Sequence, residues 1–236
     1  MRIPAPPLFH AIILLLCWWL PAQADTGQWS WQLSSSPAFR GISTTQRQPG
    51  VQAQWEYLEG PGAWGGASVS TISSRAIPGA GLEADAYAGW NTAITPDTRA
   101  FVGVYQYTYP GADTFNTTEA FAQLRWGAST VKWYHSITDL GGIAHSAGSD
   151  YVSWDVYLPL RQGWVLVPHV GRQWVHGAGA KDYSDVAISV TWSRGAITVT
   201  NQIRDTIGPR SFRSANTVAG VDLTGPAWVW VLGWSF

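Results

Sequence analysis

The sequence predicts an all-β chain, a transmembrane antiparallel up-and-down barrel of about twelve strands, and three observations lead there. Charged residues make up only 12% of the 236 positions while tryptophan occurs 16 times, about half the ~25% charge usual in soluble domains. Beyond the N-terminal stretch no segment offers 18 consecutive apolar residues, so a helical membrane span is not expected. Many short segments instead alternate apolar and polar residues with a period of two. A chain that is lipid-exposed yet locally polar satisfies its backbone only in a closed barrel, apolar outside and wet inside.

The elements follow in chain order. Arg2 precedes an apolar stretch from Leu8 to Leu20 and then Pro21-Ala22-Gln23-Ala24, the pattern of a secretory signal peptide with an Ala-x-Ala cleavage site. Residues 1–24 are therefore expected to be removed, leaving a barrel domain over 25–236. Its apolar core is short of the ~20 residues that a helical anchor needs. Cys17 lies within it, next to Leu16 and Trp18, so the mature chain is expected to hold no disulfide and no thiol chemistry.

Val51, Ala53, Trp55 and Tyr57 alternate with Gln52, Gln54 and Glu56, and Leu82, Ala84, Ala86, Ala88 and Trp90 with Glu83, Asp85, Tyr87 and Gly89. The same alternation sets Ala120, Ala122, Leu124 and Trp126 against Glu119, Gln123 and Arg125, and Val152, Trp154, Val156 and Leu158 against Ser153, Asp155 and Tyr157. It recurs at 185–192 and 197–204 and in the final run, where Trp228, Trp230, Leu232, Trp234 and Phe236 share one face. Four further strands read less cleanly: 29–43 with Pro37, 63–72 with small residues, 98–109 with a change of parity, and 163–175 with Pro168. Proline belongs at strand ends and bulges, so local kinks are expected in these. With 130–138 and 227–236 the count is twelve, an even number that places both termini on one side. The last strand should close the barrel against the strand beginning near Trp29.

The connections supply an independent test. The odd ones, 44–49, 73–81, 110–116, 139–149, 176–182 and 205–226, are each longer than the even ones at 59–62, 93–97, 127–129, 160–162 and 193–195. Outer-membrane barrels sort their connections this way, with short periplasmic turns and long external loops. A soluble β-sandwich or lipocalin-like barrel has no reason to do so.

Several stretches, taken in order, carry a family resemblance: Phe39-Arg40-Gly41-Ile42-Ser43, Tyr107-Thr108-Tyr109-Pro110-Gly111-Ala112, Thr118-Glu119, Ser149-Asp150-Tyr151, Tyr157-Leu158-Pro159-Leu160, Val170-Gly171 and Trp234-Ser235-Phe236. Together they resemble the TorF-type porin family over nearly the whole mature chain. The resemblance implies a twelve-stranded barrel in a bacterial outer membrane and carries no substrate with it. The terminal aromatic is similar to the signal read by the barrel assembly machinery, which would be a partner during biogenesis. The chain is richer in tryptophan than that family, and 205–226 is longer than its usual last loop.

For a pore the chemistry is the lumen. By parity the candidate lining residues are Glu56, Glu83, Asp85, Glu119, Asp155 and Asp185 against Arg125, Lys132 and Arg204, with Arg40 near the outer end of the first strand. Facing charges of both signs let a solute or ion shed water without meeting an apolar wall, and the acidic excess leans toward cations. The same charges could instead pair across the interior and plug it, since twelve strands lie between filled eight-stranded and open sixteen-stranded barrels. Arg40 could guard the mouth or bridge lumen carboxylates. Tyr105, Tyr107 and Tyr109 read as a membrane-interface girdle in preference to a sugar-stacking surface.

A catalytic reading rests on His145-Ser146, with Asp139 and Asp150 nearby, which superficially supplies nucleophile, base and orienter. Lipid-hydrolysing barrels instead separate the histidine and serine by one residue on a strand, so no catalysis is expected. The histidines at 10, 135, 145, 169 and 176 have no metal-ligand spacing, and neither metal nor cofactor is expected. A net charge of −1 disfavours nucleic acid as a partner. The expected function is passive conduction of small solutes or ions across a bilayer whose lipid the outer face contacts. The alternative is a closed barrel with a structural or surface-binding role carried by 205–226, and an outer-membrane lipid hydrolase ranks below both.

Overall fold

The computed structural model describes residues 27–58 and 60–236; the expected signal peptide and its cleavage site lie outside them. Twelve antiparallel strands form one closed up-and-down barrel. In chain order they are β1 (Gln28–Ser34), β2 (Gly50–Leu58), β3 (Gly62–Thr71), β4 (Leu82–Thr95), β5 (Thr98–Thr108), β6 (Thr117–Trp126) and β7 (Ser129–Ser136). β8 has two runs, Asp150–Val156 and Leu158–Arg161, and is followed by β9 (Trp164–Trp174), β10 (Tyr183–Arg194), β11 (Ile197–Ile207) and β12 (Ala227–Ser235). Each strand pairs with its sequence neighbours, and β12 returns to β1 through Trp31↔Trp234 and Leu33↔Leu232. Trp29 and Phe236 exchange both backbone hydrogen bonds at the seam, which leaves no open sheet edge for lipid to face.

The alternation of the sequence becomes the two faces of the sheet. Outward positions carry Trp29, Leu33, Val69, Trp90, Val102, Leu124, Trp154, Val170, Ile188 and Ile203, with Trp90 and Ile203 each 61% exposed. In water that surface would be unfavourable at ~25 cal/mol per Å² of apolar area; in hydrocarbon it is the required one. Tryptophans gather toward both rims: Trp29, Trp126, Trp164, Trp192 and Trp234 near the short turns, and Trp133, Trp174 and Trp228 near the long loops. Amphipathic indoles collect at membrane interfaces in this way.

The long-short order of connections is observed. Two-residue turns at 96–97, 127–128, 162–163 and 195–196 lie at one end with the start of β1 and the end of β12, and the long loops 35–49, 72–81, 109–116, 137–149, 175–182 and 208–226 lie at the other. The last loop contains the helix α1 (Arg210–Ala215).

Three expectations are corrected. The first strand does not run to residue 43: it stops at Ser34, and residues 38–43 form a separate two-residue-loop hairpin, Ala38–Phe39 against Ile42–Ser43. Arg40 and Gly41 are both at positive φ, 47° and 82°, the tight turn whose twist suits a hairpin. Next, the runs 62–71, 98–108 and 164–174 keep register throughout, Pro168 sitting outward opposite Ile188. The irregularities fall instead at Ala93/Thr95 and Pro159/Arg161, beside prolines 96 and 159 at strand ends. Finally, β5 does not change parity; it is apolar on both faces because its inward side packs against other aromatics.

Candidate functional site

The interior is built by register. Hydrogen-bonded partners on neighbouring strands lie side by side, so inward residues form oblique rings that climb around the barrel with the strand tilt. One such ring runs Trp64↔Gly89↔Gly103↔Phe121↔Tyr134↔Tyr151↔Gln173↔Tyr183. A second passes through Thr130↔Asp155↔His169↔Ala187↔Arg204.

On the β3–β7 side, the lumen is filled. Trp64, Tyr87, Phe101 and Phe121 are buried together, with Tyr105 and Tyr134 packed on them. Tyr87 stacks on Tyr105 at 4.6 Å and Phe121 tilts against Tyr134 at 4.9 Å. The expected girdle of Tyr105, Tyr107 and Tyr109 is therefore overturned: the first two point inward from β5, and Tyr107 and Tyr109 are buried with Ile72, Ala80 and Ala112. The parity of β5 was ambiguous because its outward Val102 and Val104 are as apolar as its inward rings.

The 38–43 hairpin folds into the barrel from the long-loop end, and Arg40 is its tip. The Arg40 guanidinium donates to the Glu119 carboxylate on β6 and to Gln173 Oε1 on β9, the latter at 2.8 Å. It also lies over the rings of Phe39, Tyr134 and Tyr151 at 4.6, 4.9 and 4.5 Å. Glu119 is wholly buried and its other oxygen accepts from Ser136 Oγ at 3.1 Å. Gly41 presses on the far wall, where a Cβ would sit 2.5 Å from Thr206 Cγ2 and 2.7 Å from Asp185 Cβ. The hairpin thus reaches across from β6 to β11. Its root is tied down by Arg47, which donates to the carbonyls of Asp222, Gly225 and Pro226 in the last loop.

Below the hairpin a chain of polar groups follows the β7–β10 wall. His169 faces two carboxylates, Nδ1 to Asp155 Oδ1 at 2.8 Å and Nε2 to Asp185 Oδ2 at 2.7 Å. A ring protonated on both nitrogens donates to both at once. Lys132 Nζ lies 3.6 Å from Asp155, and Tyr151 donates to Asp185 Oδ1 at 3.0 Å. The Tyr151 hydroxyl reaches that carboxylate because residue 171 is glycine: a Cβ there would fall 2.2 Å from the hydroxyl and 2.4 Å from Asp185 Oδ1.

Of the other expected lining residues, Glu83 and Asp85 share the inward face of β4, and Asp85 accepts from Ser68 Oγ at 2.9 Å. Among the described residues neither makes an ion pair. Arg204 donates to Ser36 Oγ at 3.0 Å. Glu56 accepts from Tyr87 against the aromatic side, and Arg125 covers the Phe101 ring at 4.8 Å near the short-turn rim. Arg40 and Glu119 are thus brought together, as are Lys132, Asp155 and Asp185, whereas Glu56 and Arg125 stand apart. His169, Gln173, Tyr134 and Tyr151 are interior residues beyond those expected; the period of two, continued through Pro168, puts His169 and Gln173 inside.

Two cavities flank the hairpin. One of ≈ 300 Å³ is lined by Arg40, Lys132, Ser153, Asp155, His169 and Asp185, among others. The other, of ≈ 310 Å³, is lined by Gln32, Gln52, Ser70, Glu83, Asp85 and Val229, among others. Phe39, Tyr107, Gln202 and Arg204 line both, so these side chains form a wall that the two share beside the hairpin.

His145 and Ser146 have a different use. Ser146 is fully buried, its Oγ donating to Ile143 O and accepting from Leu140 N at 2.7 Å. Asp139 accepts from the backbone N–H groups of Ala147, Ser146 and His145 at 3.1, 2.8 and 3.1 Å. These bonds, that of Ala147 foremost, hold the Asp139 carboxyl below the usual aspartate range. The pair and its aspartate shape a loop.

A family model described as "Bacterial protein of unknown function (Gcw_chp)" matches residues 28–236. No curated protein matches the chain. Among solved structures it is similar to the KdgM porin, with a TM-score of 0.55 at 5% identity over 89% of this chain and 98% of that one. It is also similar to the NanC porin in a rhombohedral crystal form, with a TM-score of 0.57 at 11% identity over 88% and 98%. A structure of the KdgM porin in complex with disordered oligogalacturonate gives 0.54 at 5% over 89% and 98%. At these identities the likeness is one of fold, a porin-like transmembrane barrel.

Proposed function

The chain belongs to the Gcw_chp family of bacterial proteins, and from its barrel and interior we propose that it is an outer-membrane pore for small solutes or ions. The observation that carries this reading is the pair of interior cavities lined by charged side chains, which share Gln202 and Arg204 in their walls. A purely structural barrel gains nothing from charged groups along a hollow interior, because each must be desolvated or paired. A pore uses them to replace water around a passing solute. The TorF-type resemblance and the porin-like fold support the same reading. So does the N-terminal leader pattern, which would export the chain to the outer membrane, where lipid and the assembly machinery are its partners.

The proposed lining is Glu83, Asp85, Lys132, Asp155, Asp185 and Arg204, with Arg40 and Glu119 forming the constriction. Glu56 and Arg125 complete the set toward the short-turn rim. Glu83 and Asp85 have no cation paired to them among the described residues, which favours cations or neutral polar solutes over anions. Reconstitution in planar bilayers tests the pore: stepwise conductance is expected, with cation preference. A folded barrel that never raises conductance would refute it.

The second reading, a closed barrel acting through its long loops, is favoured by one observation, the Arg40 hairpin spanning the lumen. Deleting 210–224 should then abolish a binding activity with conductance absent before and after.

A further inference from the structure

Above the hairpin the six long loops enclose a further cavity of ≈ 440 Å³, within the roughly 300–1,000 Å³ typical of small-molecule sites. Each loop contributes an apolar side chain: Ile42, Ile77, Phe115, Ile143, Val175 and Phe212. Two pairs of rings stand in its wall, Phe212 stacked on Tyr183 at 4.5 Å and Phe115 edge-on to Tyr109 at 6.2 Å. An apolar chamber is out of character beside the polar lumen below it. Loops that needed only to cover the barrel would collapse onto one another, since a void forfeits packing contacts. The lining includes a single charged side chain, Lys181, which is exposed and makes no ion pair among the described residues. Its floor is formed by the hairpin, through Phe39, and by Gln173 of β9, which accepts from Arg40.

We propose that this vestibule binds a small aromatic carboxylate, its ring among the loop side chains and its carboxylate at Lys181, as the step that precedes passage around the hairpin. Flat rings suit aromatic walls by stacking and edge contacts. A lone cation at the rim of an apolar chamber selects a single negative group on the ligand, and because the group stays near water its desolvation cost is small. The proposal rests on the pore reading for its consequence, but its occupancy is measured without conductance.

The test uses the purified protein in detergent, with 2-naphthoate and neutral 2-naphthalenemethanol titrated by calorimetry against protein-free micelles. Saturable one-to-one binding of both is expected, with naphthoate the tighter. Lys181→Gln should weaken naphthoate about 2- to 5-fold and leave the alcohol unchanged. Ile143→Asp should weaken both at least 10-fold while the barrel keeps its heat-modifiable migration on gels. Absence of saturable binding, or binding indifferent to Ile143→Asp, would overturn the site; equal losses of both probes in Lys181→Gln would overturn the carboxylate. Conductance without naphthoate binding would defeat the vestibule alone, and binding without conductance would defeat the pore alone.

Discussion

Removing the Arg40 side chain leaves the Glu119 carboxylate, wholly enclosed, with only the Ser136 hydroxyl as a side-chain partner. A buried charge stripped of its partner costs far more than the pair contributes, of order 3–5 kcal/mol. Arg40→Ala is therefore expected to destabilise the barrel by about that much in urea unfolding followed by tryptophan fluorescence in vesicles. The double variant Arg40→Met with Glu119→Leu should recover most of the loss, because no unpaired charge remains. If the double variant is as unstable as Arg40→Ala, the charges are not coupled as described. Asp139 gives a milder test outside the membrane. Three backbone donors hold its carboxyl below the usual range. Its contribution is thus complete above the ordinary aspartate value of about 3.9 and is lost as pH falls through the lower folded value. Amides 145–147 should lose protection relative to the barrel strands in that acid window, and Asp139→Ala should expose them already at neutral pH.

At the scale of elements, β9 and the hairpin set the interior. Gly171→Ala would drive a methyl into the Tyr151 hydroxyl and Asp185; an overpacking cost of about 1–3 kcal/mol is expected, together with altered ion selectivity as His169 loses its fixed frame. A stability loss without any change in selectivity would place that polar chain outside the conducting path. The strands and their order were legible because lipid outside and water inside impose a period of two on every strand, and because long and short connections alternate. What lay hidden was what breaks that contrast. The inward face of β5 is aromatic, so Tyr105 and Tyr107 read as a membrane-interface girdle when they are packing a lumen. The hairpin was hidden for another reason: Arg40 adopts a left-handed turn that Gly41 favours and arginine does not, held by contacts with strands some 80 to 130 residues away. No local pattern encodes such contacts. The pairing of Arg40 with a lumen carboxylate was within reach of sequence, but its position across the barrel was not.

For the molecule as a whole, one side of the barrel interior is packed with aromatic rings and the other is lined by polar groups. The aromatic cluster braces β3–β7, while Lys132, Asp155, His169, Asp185 and Arg204 line β7–β11 and Glu83 and Asp85 line the long-loop end of β4. That asymmetry predicts selectivity set by few residues. Glu83→Gln with Asp85→Asn should lower cation preference in reversal-potential measurements, and charge reversal at both should shift it toward anions. Unchanged selectivity would take β4 out of the path. The central claim, a pore constricted by an Arg40-tipped hairpin, meets its most direct test in single-channel recording of the unmodified protein beside a variant lacking residues 38–43. Small cation-preferring steps are expected for the first and markedly larger ones for the second. Silent bilayers from both, with barrels shown to be folded, would contradict it.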